Sequence, residues 1–145
     1  MKLNTLLRPL SLSVVLGLLV AAPVQAQSGP SCPTLPSGSP LQWEEMRNPD
    51  LLFCKAMDAT GEQVFSMMVS AESPFDPVRS KRAETSLING ANTYWYRTEI
   101  ATRPEVLARE AMVVLPNGRV AYFNVQADND SELQEAFATV AALGL

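Results

Sequence analysis

The sequence contains no histidine. A Ser-His-Asp triad, a Cys-His pair and any imidazole-bound metal are therefore out of reach. Cysteine is nearly absent too. Cys32 and Cys54 are the only two, too few for a zinc framework of four thiolates. A catalytic thiol would want a basic partner such as histidine, so one disulfide, Cys32–Cys54, is the expected pairing. No Gly-rich stretch of the kind that cradles phosphate occurs. Positive charge is in the minority, with 11 Lys and Arg against 15 Asp and Glu, net −4. That balance argues against nucleic acid or an anionic membrane surface as partner. A Ser-Lys dyad would need Lys55 or Lys81 beside a serine in a strained turn, and nothing in the pattern places either there.

Long apolar runs are scarce as well. The one present spans residues 10–20, behind Lys2 and Arg8 and ahead of Pro23. With Val24-Gln25-Ala26 as a small-residue cleavage site, residues 1–26 read as a secretory signal peptide cut after Ala26. The run is short for a membrane span of roughly 20 residues. No stop-transfer pattern follows, so no stable membrane insertion is expected after cleavage. Cys32 follows Gly-Pro-Ser rather than the small apolar run of a lipidation signal. The expected location is periplasmic or secreted. Cleavage removes Lys2 and Arg8 from the 11 basic residues, leaving nine against 15 acidic ones, net −6.

What is present organises around two Asn-Gly pairs, Asn89-Gly90 and Asn117-Gly118. Asn-Gly between β-rich runs marks a tight hairpin, because its turn needs positive φ that Asn and Gly tolerate. Residues 27–40, rich in Pro, Ser and Gly, read as a linker. Residues 41–145 read as a single α+β domain. Residues 41–46 suit a helical turn that docks Trp43, with Glu44-Glu45 as a solvated edge. Residues 51–58 read as a strand, 59–61 as a turn, and 62–72 as a strand with Phe65, Met67 and Val69 on one face. Met67-Met68 invites a soft-metal site, but thioethers alone make a poor one, so core filling is the expected role. Residues 73–80 form a proline-braced loop ending in the basic cluster Arg79, Lys81 and Arg82.

The first hairpin should set Ile88 opposite Ala91, Glu84 opposite Trp95 and Arg82 opposite Arg97. Tyr94, Tyr96 and Ile100 then share one face, and Trp95, Arg97 and Glu99 the other. A two-residue loop at Asn117-Gly118 should pair Leu115 with Val120, Val114 with Ala121 and Met112 with Phe123. Both faces of that hairpin are apolar. One helix can cover only one of them, so the N-terminal segment, a dimer mate or another protein should cover part of the second. Ser131 should cap a C-terminal helix, with Ser131-Glu132-Leu133-Gln134 as a capping box. Leu133, Ala136, Phe137, Val140 and Leu143 form its apolar stripe. Asp128, Asp130 and Glu132 lack the Gly and distal Glu of a calcium loop, so capping is their expected role and no metal or cofactor is expected. The sum is an antiparallel β-sheet of about six strands packed against a C-terminal helix.

Several of these segments resemble the PsbP/Mog1-like superfamily, which includes small periplasmic proteins of the DcrB type. The resemblance lies in Leu87-Ile88-Asn89-Gly90 with Tyr94-Trp95-Tyr96, in Leu115-Pro116-Asn117-Gly118 with residues 120–125, and in the helix over 133–140. It implies an antiparallel sheet backed by helices, and a binding or assembly role without catalysis.

On these grounds the expected function is an exported, non-enzymatic binding or accessory protein acting through protein–protein recognition. Trp95, Tyr96, Arg97 and Tyr122 are the candidate interface, since aromatics and Arg dominate binding hot spots. The partner would be another protein or a second copy. An inhibitor or immunity protein of a secreted hydrolase or toxin is the alternative. A small-ligand domain or enzyme is the third reading, and its sign would be a deep pocket with converging polar groups.

Overall fold

A computed structural model describes residues 30–145. The expected signal peptide lies outside them. The elements are β1 (Gln42–Asn48), β2 (Leu51–Met57), β3 (Gln63–Ser70), β4 (Arg82–Ile88), β5 (Ala91–Thr98), β6 (Leu107–Val114), β7 (Val120–Ala127) and α1 (Asp130–Ala141). They build a seven-stranded sheet in the order β1-β2-β3-β7-β6-β5-β4, with every neighbouring pair antiparallel. The one helix packs on one face, so the fold is α+β.

The extra strand is β1, where a helical turn was expected. Asn48-Pro49-Asp50 explains it. Asn48 Oδ1 accepts from Asp50 N at 3.1 Å, and the reversal pairs Asn48 with Leu51 and Gln42 with Met57. Proline at that place fixes φ for a tight turn and stops a helix from continuing. Trp43 does dock as expected, meeting Phe65 edge-on at 5.4 Å, and its Nε1 donates to Pro33 O at 2.7 Å. That bond and the Cys32–Cys54 disulfide, which closes a separation of 22 residues, hold the leader against the domain. Cys32 and Leu35 pack against the core.

At the first hairpin Asn89 (φ 49°) and Gly90 (φ 76°) form the expected two-residue turn, and Ile88 pairs with Ala91. The pairing slips further along. An irregularity between Arg82 and Thr85 sets Arg82 opposite Tyr96 rather than Arg97. Glu84 does not pair with Trp95. It turns to Arg109, which grips it with two bonds of 2.9 and 3.0 Å.

The second hairpin is corrected by one residue. Its loop has three residues, not two. Gly118 N donates to Leu115 O at 2.9 Å, and Leu115 N to Arg119 O at 2.8 Å. Pro116 leads the turn and Gly118 sits at φ 79°, the geometry of a three-residue loop with a glycine bulge. Val114 therefore pairs with Val120, Met112 with Tyr122 and Ala111 with Phe123. A slip of one residue exchanges every side chain between faces. Ala111 and Val113 join Ala121, Phe123 and Val125 on the helix side, while Met112 and Val114 go to the other.

The core lies between sheet and helix. Phe65, Met67, Phe123, Val125 and Trp95 meet Leu133, Ala136, Phe137 and Val140 of α1, all buried. Trp95 stacks on Phe137 at 4.5 Å and donates from Nε1 to Ser86 Oγ at 2.8 Å. The helix starts two residues earlier than Ser131 would set it. Asn129 is the N-cap, its side chain accepting from Glu132 N at 3.1 Å. Glu132 answers with bonds to Asn129 Nδ2 (2.8 Å) and Asp128 N (3.0 Å). At the far end of the sheet Arg119 donates from Nη2 to Asp50 O (2.7 Å) and Val69 O (3.0 Å), tying the β6–β7 reversal to β3 and to the β1–β2 turn.

Candidate functional site

The face opposite α1 is built by register. Directly paired residues of adjacent strands point to the same side. Met46 pairs with Phe53, Phe53 with Met68, Met68 with Tyr122 and Tyr122 with Met112. One row of large, soft side chains thus crosses β1, β2, β3, β7 and β6. Beside it stand Val114, 64% exposed, Leu87, 57%, Met46 itself, 51%, and Tyr94, 44%. These are four of the five most exposed large apolar residues of the described chain, and all four lie on this face. Among the described residues no element covers the row as α1 covers the other side. The 71–78 loop reaches over it, and Phe75 packs against Tyr96 at 5.7 Å and Tyr122 at 5.5 Å.

The next row on the same face is polar: Glu44 pairs with Lys55, Lys55 with Ser66, Ser66 with Asn124 and Asn124 with Glu110. Tyr122 donates to Glu110 Oε2 at 3.0 Å. Burial, with the Glu110 charge and its hydrogen bond behind it, pushes the Tyr122 hydroxyl up to about 12, so it stays a neutral donor at physiological pH. Lys55 meets Glu44 at 3.2 Å. The Arg82 guanidinium lies over the Tyr94 ring, 4.3 Å from its centre, a cation–π contact at the rim of the patch.

Against this geometry the four candidate interface residues separate. Tyr96 and Tyr122 lie together on the outer face, both under Phe75. Trp95 is 0% exposed and belongs to the core under α1, so it offers no surface. Arg97 is exposed but faces the helix side, paired with Arg109. Met46, Phe53, Met68 and Met112 were missed as surface candidates. Their signal was alternation: Leu52, Cys54 and Ala56 are buried, which leaves Phe53, Lys55 and Met57 to the other side.

A cleft of about 1020 Å³ opens where the leader, the β2–β3 turn, the end of β7 and the first turns of α1 meet. Asp58, Glu62, Asp128, Glu132 and Glu135 line it with Arg103. Most of these acids already have structural work. Asp58 accepts from Thr60 Oγ1, Thr60 N and Glu62 N at 2.7–2.9 Å. The Thr60 hydroxyl and then the backbone N–H of Glu62 hold its carboxyl below the usual range. Glu132 caps the helix. Glu62 and Asp128 flank Arg103 at 3.6 and 3.2 Å. Among the described residues no group of three His, Cys, Asp or Glu is placed to hold a metal ion.

The Cys32–Cys54 disulfide points to an oxidising, extracytoplasmic setting. No described helix is long and apolar enough to cross a membrane. Comparison with known proteins finds no matching family model, curated relative or solved structure.

Proposed function

We propose that this protein is an exported, non-catalytic binding or accessory module that recognises another protein through the outer face of its sheet. The observation that carries this reading is the Met46–Phe53–Met68–Tyr122–Met112 row, continuous across five strands and left uncovered by the helix. Contiguous apolar patches on a folded surface mark interaction sites, and methionine adapts its shape to a partner. Charge favours a different chain over a second copy. Residues 30–145 carry nine basic and 15 acidic groups, because only Lys2 and Arg8 of the 11 basic residues fall outside. Two such acidic chains repel one another as they approach, whereas a basic partner with an apolar patch gains on both counts. The resemblance to PsbP/Mog1-like domains belongs to this proposal and implies the same kind of role. A periplasmic location, implied by the expected signal peptide over residues 1–26, belongs to it as well.

The test compares the mature protein with a Met68→Asp/Met112→Asp variant in capture from a periplasmic extract, with sizing of each protein alone. A partner held by the wild type and by Arg97→Ala, but lost by the double variant, supports the reading. Equal capture by both, or a wild type that is a stable dimer which the double variant dissolves, overturns it.

A further inference from the structure

Five of the nine basic residues in 30–145 gather at one corner of the sheet: Arg79, Lys81, Arg82, Arg97 and Arg109. The short 3-10 turn Arg79–Lys81 precedes β4 directly and brings the basic cluster of the sequence to β5. Arg97 and Arg109 are direct cross-strand partners on β5 and β6. Like charges placed opposite one another cost stability unless something answers them. Glu84 answers Arg109, taking both of its bonds from that fork at 2.9 and 3.0 Å. Burial pushes the Glu84 carboxyl up, but Arg109, and then the charge of Arg97, outweigh it and hold the group below the usual range. Arg97 has no such answer. Its side chain is exposed, and its Nη1 donates only to the Arg82 carbonyl at 3.1 Å. Lys81 stands exposed beside it and forms no ion pair within 4.0 Å in the described chain. Lys81, Arg97 and Arg109 line, with Thr98 and Glu99, a concave site of about 580 Å³ whose remaining wall is apolar, formed by Val106, Leu107 and Ala108.

We propose that this corner, separate from the outer sheet face, is a carboxylate-binding site in which Arg97 and Lys81 hold one anionic group. The charge balance selects the class of ligand. Arg79 and Arg82 lie outside the lining; of the charged groups within it, Arg109 is taken up by Glu84, so Lys81 and Arg97 against Glu99 leave one positive charge, which a carboxylate neutralises and a phosphate dianion overshoots. The planar fork of Arg97 matches the two oxygens of a carboxylate. The apolar wall suits the methylene stem that carries such a group in glutamate. A free small carboxylate and an acidic side chain of a peptide share this chemistry.

The test is an NMR titration of the mature protein at low salt, following the backbone amide signals of Thr98 and Ala108, which line the site and are present in every variant. The probes are N-acetylglutamate amide, a tetraglutamate peptide and inorganic phosphate in separate arms. Saturable shifts with either carboxylate probe are expected, weakened roughly tenfold in Arg97→Ala, the loss of one charge-assisted contact, and partly restored in Arg97→Lys. Binding by the peptide alone assigns the source to a protein. Binding by both assigns it to the free group. Glu84→Gln, which frees Arg109 to join the site, should tighten binding several-fold, a gain that a merely structural role for these arginines would not produce. Shifts that fail to saturate, that survive Arg97→Ala unchanged, or that are stronger with phosphate overturn the assignment.

Discussion

Asn129 and Glu132 carry the start of α1 between them. The first N–H groups of a helix have no partner inside it, and here two side chains supply three bonds across Asp128, Asn129 and Glu132. Replacing Asn129 with Ala should therefore destabilise the protein by about 1 kcal/mol, the ordinary value of an N-cap. Ser131→Ala, one residue into the helix, should change stability by no more than about 0.5 kcal/mol, as a surface substitution does. Urea denaturation of the two variants against wild type measures both. Both residues satisfy the sequence signature of a cap, and Ser131 has a Gln three residues on where Asn129 has a Glu. Sequence pattern cannot choose between two overlapping boxes. The structure chooses Asn129, since that start brings Glu132 to the third helical position, with its carboxylate at the positive end of the helix dipole.

The two hairpins show how far local chemistry specifies an element. Gly90 and Gly118 both sit at positive φ, 76° and 79°, with open space where a Cβ would lie. The strain of a substitution there is conformational and not steric. Gly90→Ala and Gly118→Ala should each cost about 1 kcal/mol, read from thermal or urea unfolding. The reversals at Asn89-Gly90 and Asn117-Gly118 were legible in the sequence, as were β2, β3 and the stripe of α1. Three things were not. The second hairpin's register turned on Pro116, which leads a three-residue loop and so moves every pairing by one. The slip at Arg82–Thr85 depends on Glu84 reaching Arg109, a contact 25 residues away in sequence. The β1 strand offers one large half-buried ring, Trp43, among exposed charges, so periodicity had little to read, and its proof lay in the Asn48-Pro49-Asp50 turn. The candidate site suffered from the same cause. With register uncertain by one residue, Trp95 could not be told from Tyr96 as the ring under the helix, and the Met46–Met112 row could not be assembled at all.

On the scale of the whole molecule, the leader is a third wall and not a tether. Cys32, Leu35 and the Trp43–Pro33 bond fasten it, and its stretch from Pro36 to Leu41 lines the acidic cleft. Removing the bridge should free that wall first. In the chain-entropy model a loop of this length contributes about 3 kcal/mol. Cys32→Ser/Cys54→Ala should lower the melting temperature by about 6 °C or more for a domain of this size, while the β-sheet circular dichroism below the transition is retained. Protease cleavage within residues 30–41 should become faster in that variant than in wild type. Global loss of the sheet signal at room temperature would show that the bridge holds the core itself together.

The strand order carries one more consequence. Successive strands β1, β2 and β3 form one meander and β4 to β7 another, and only the pairing of β3 with β7 joins them. A polypeptide emerging from a translocation pore N-terminus first would show β3 as an open template until the last strand has followed it through. The sheet can close only once β7 has appeared, so the period of greatest vulnerability to aggregation falls late in the emergence of such a chain.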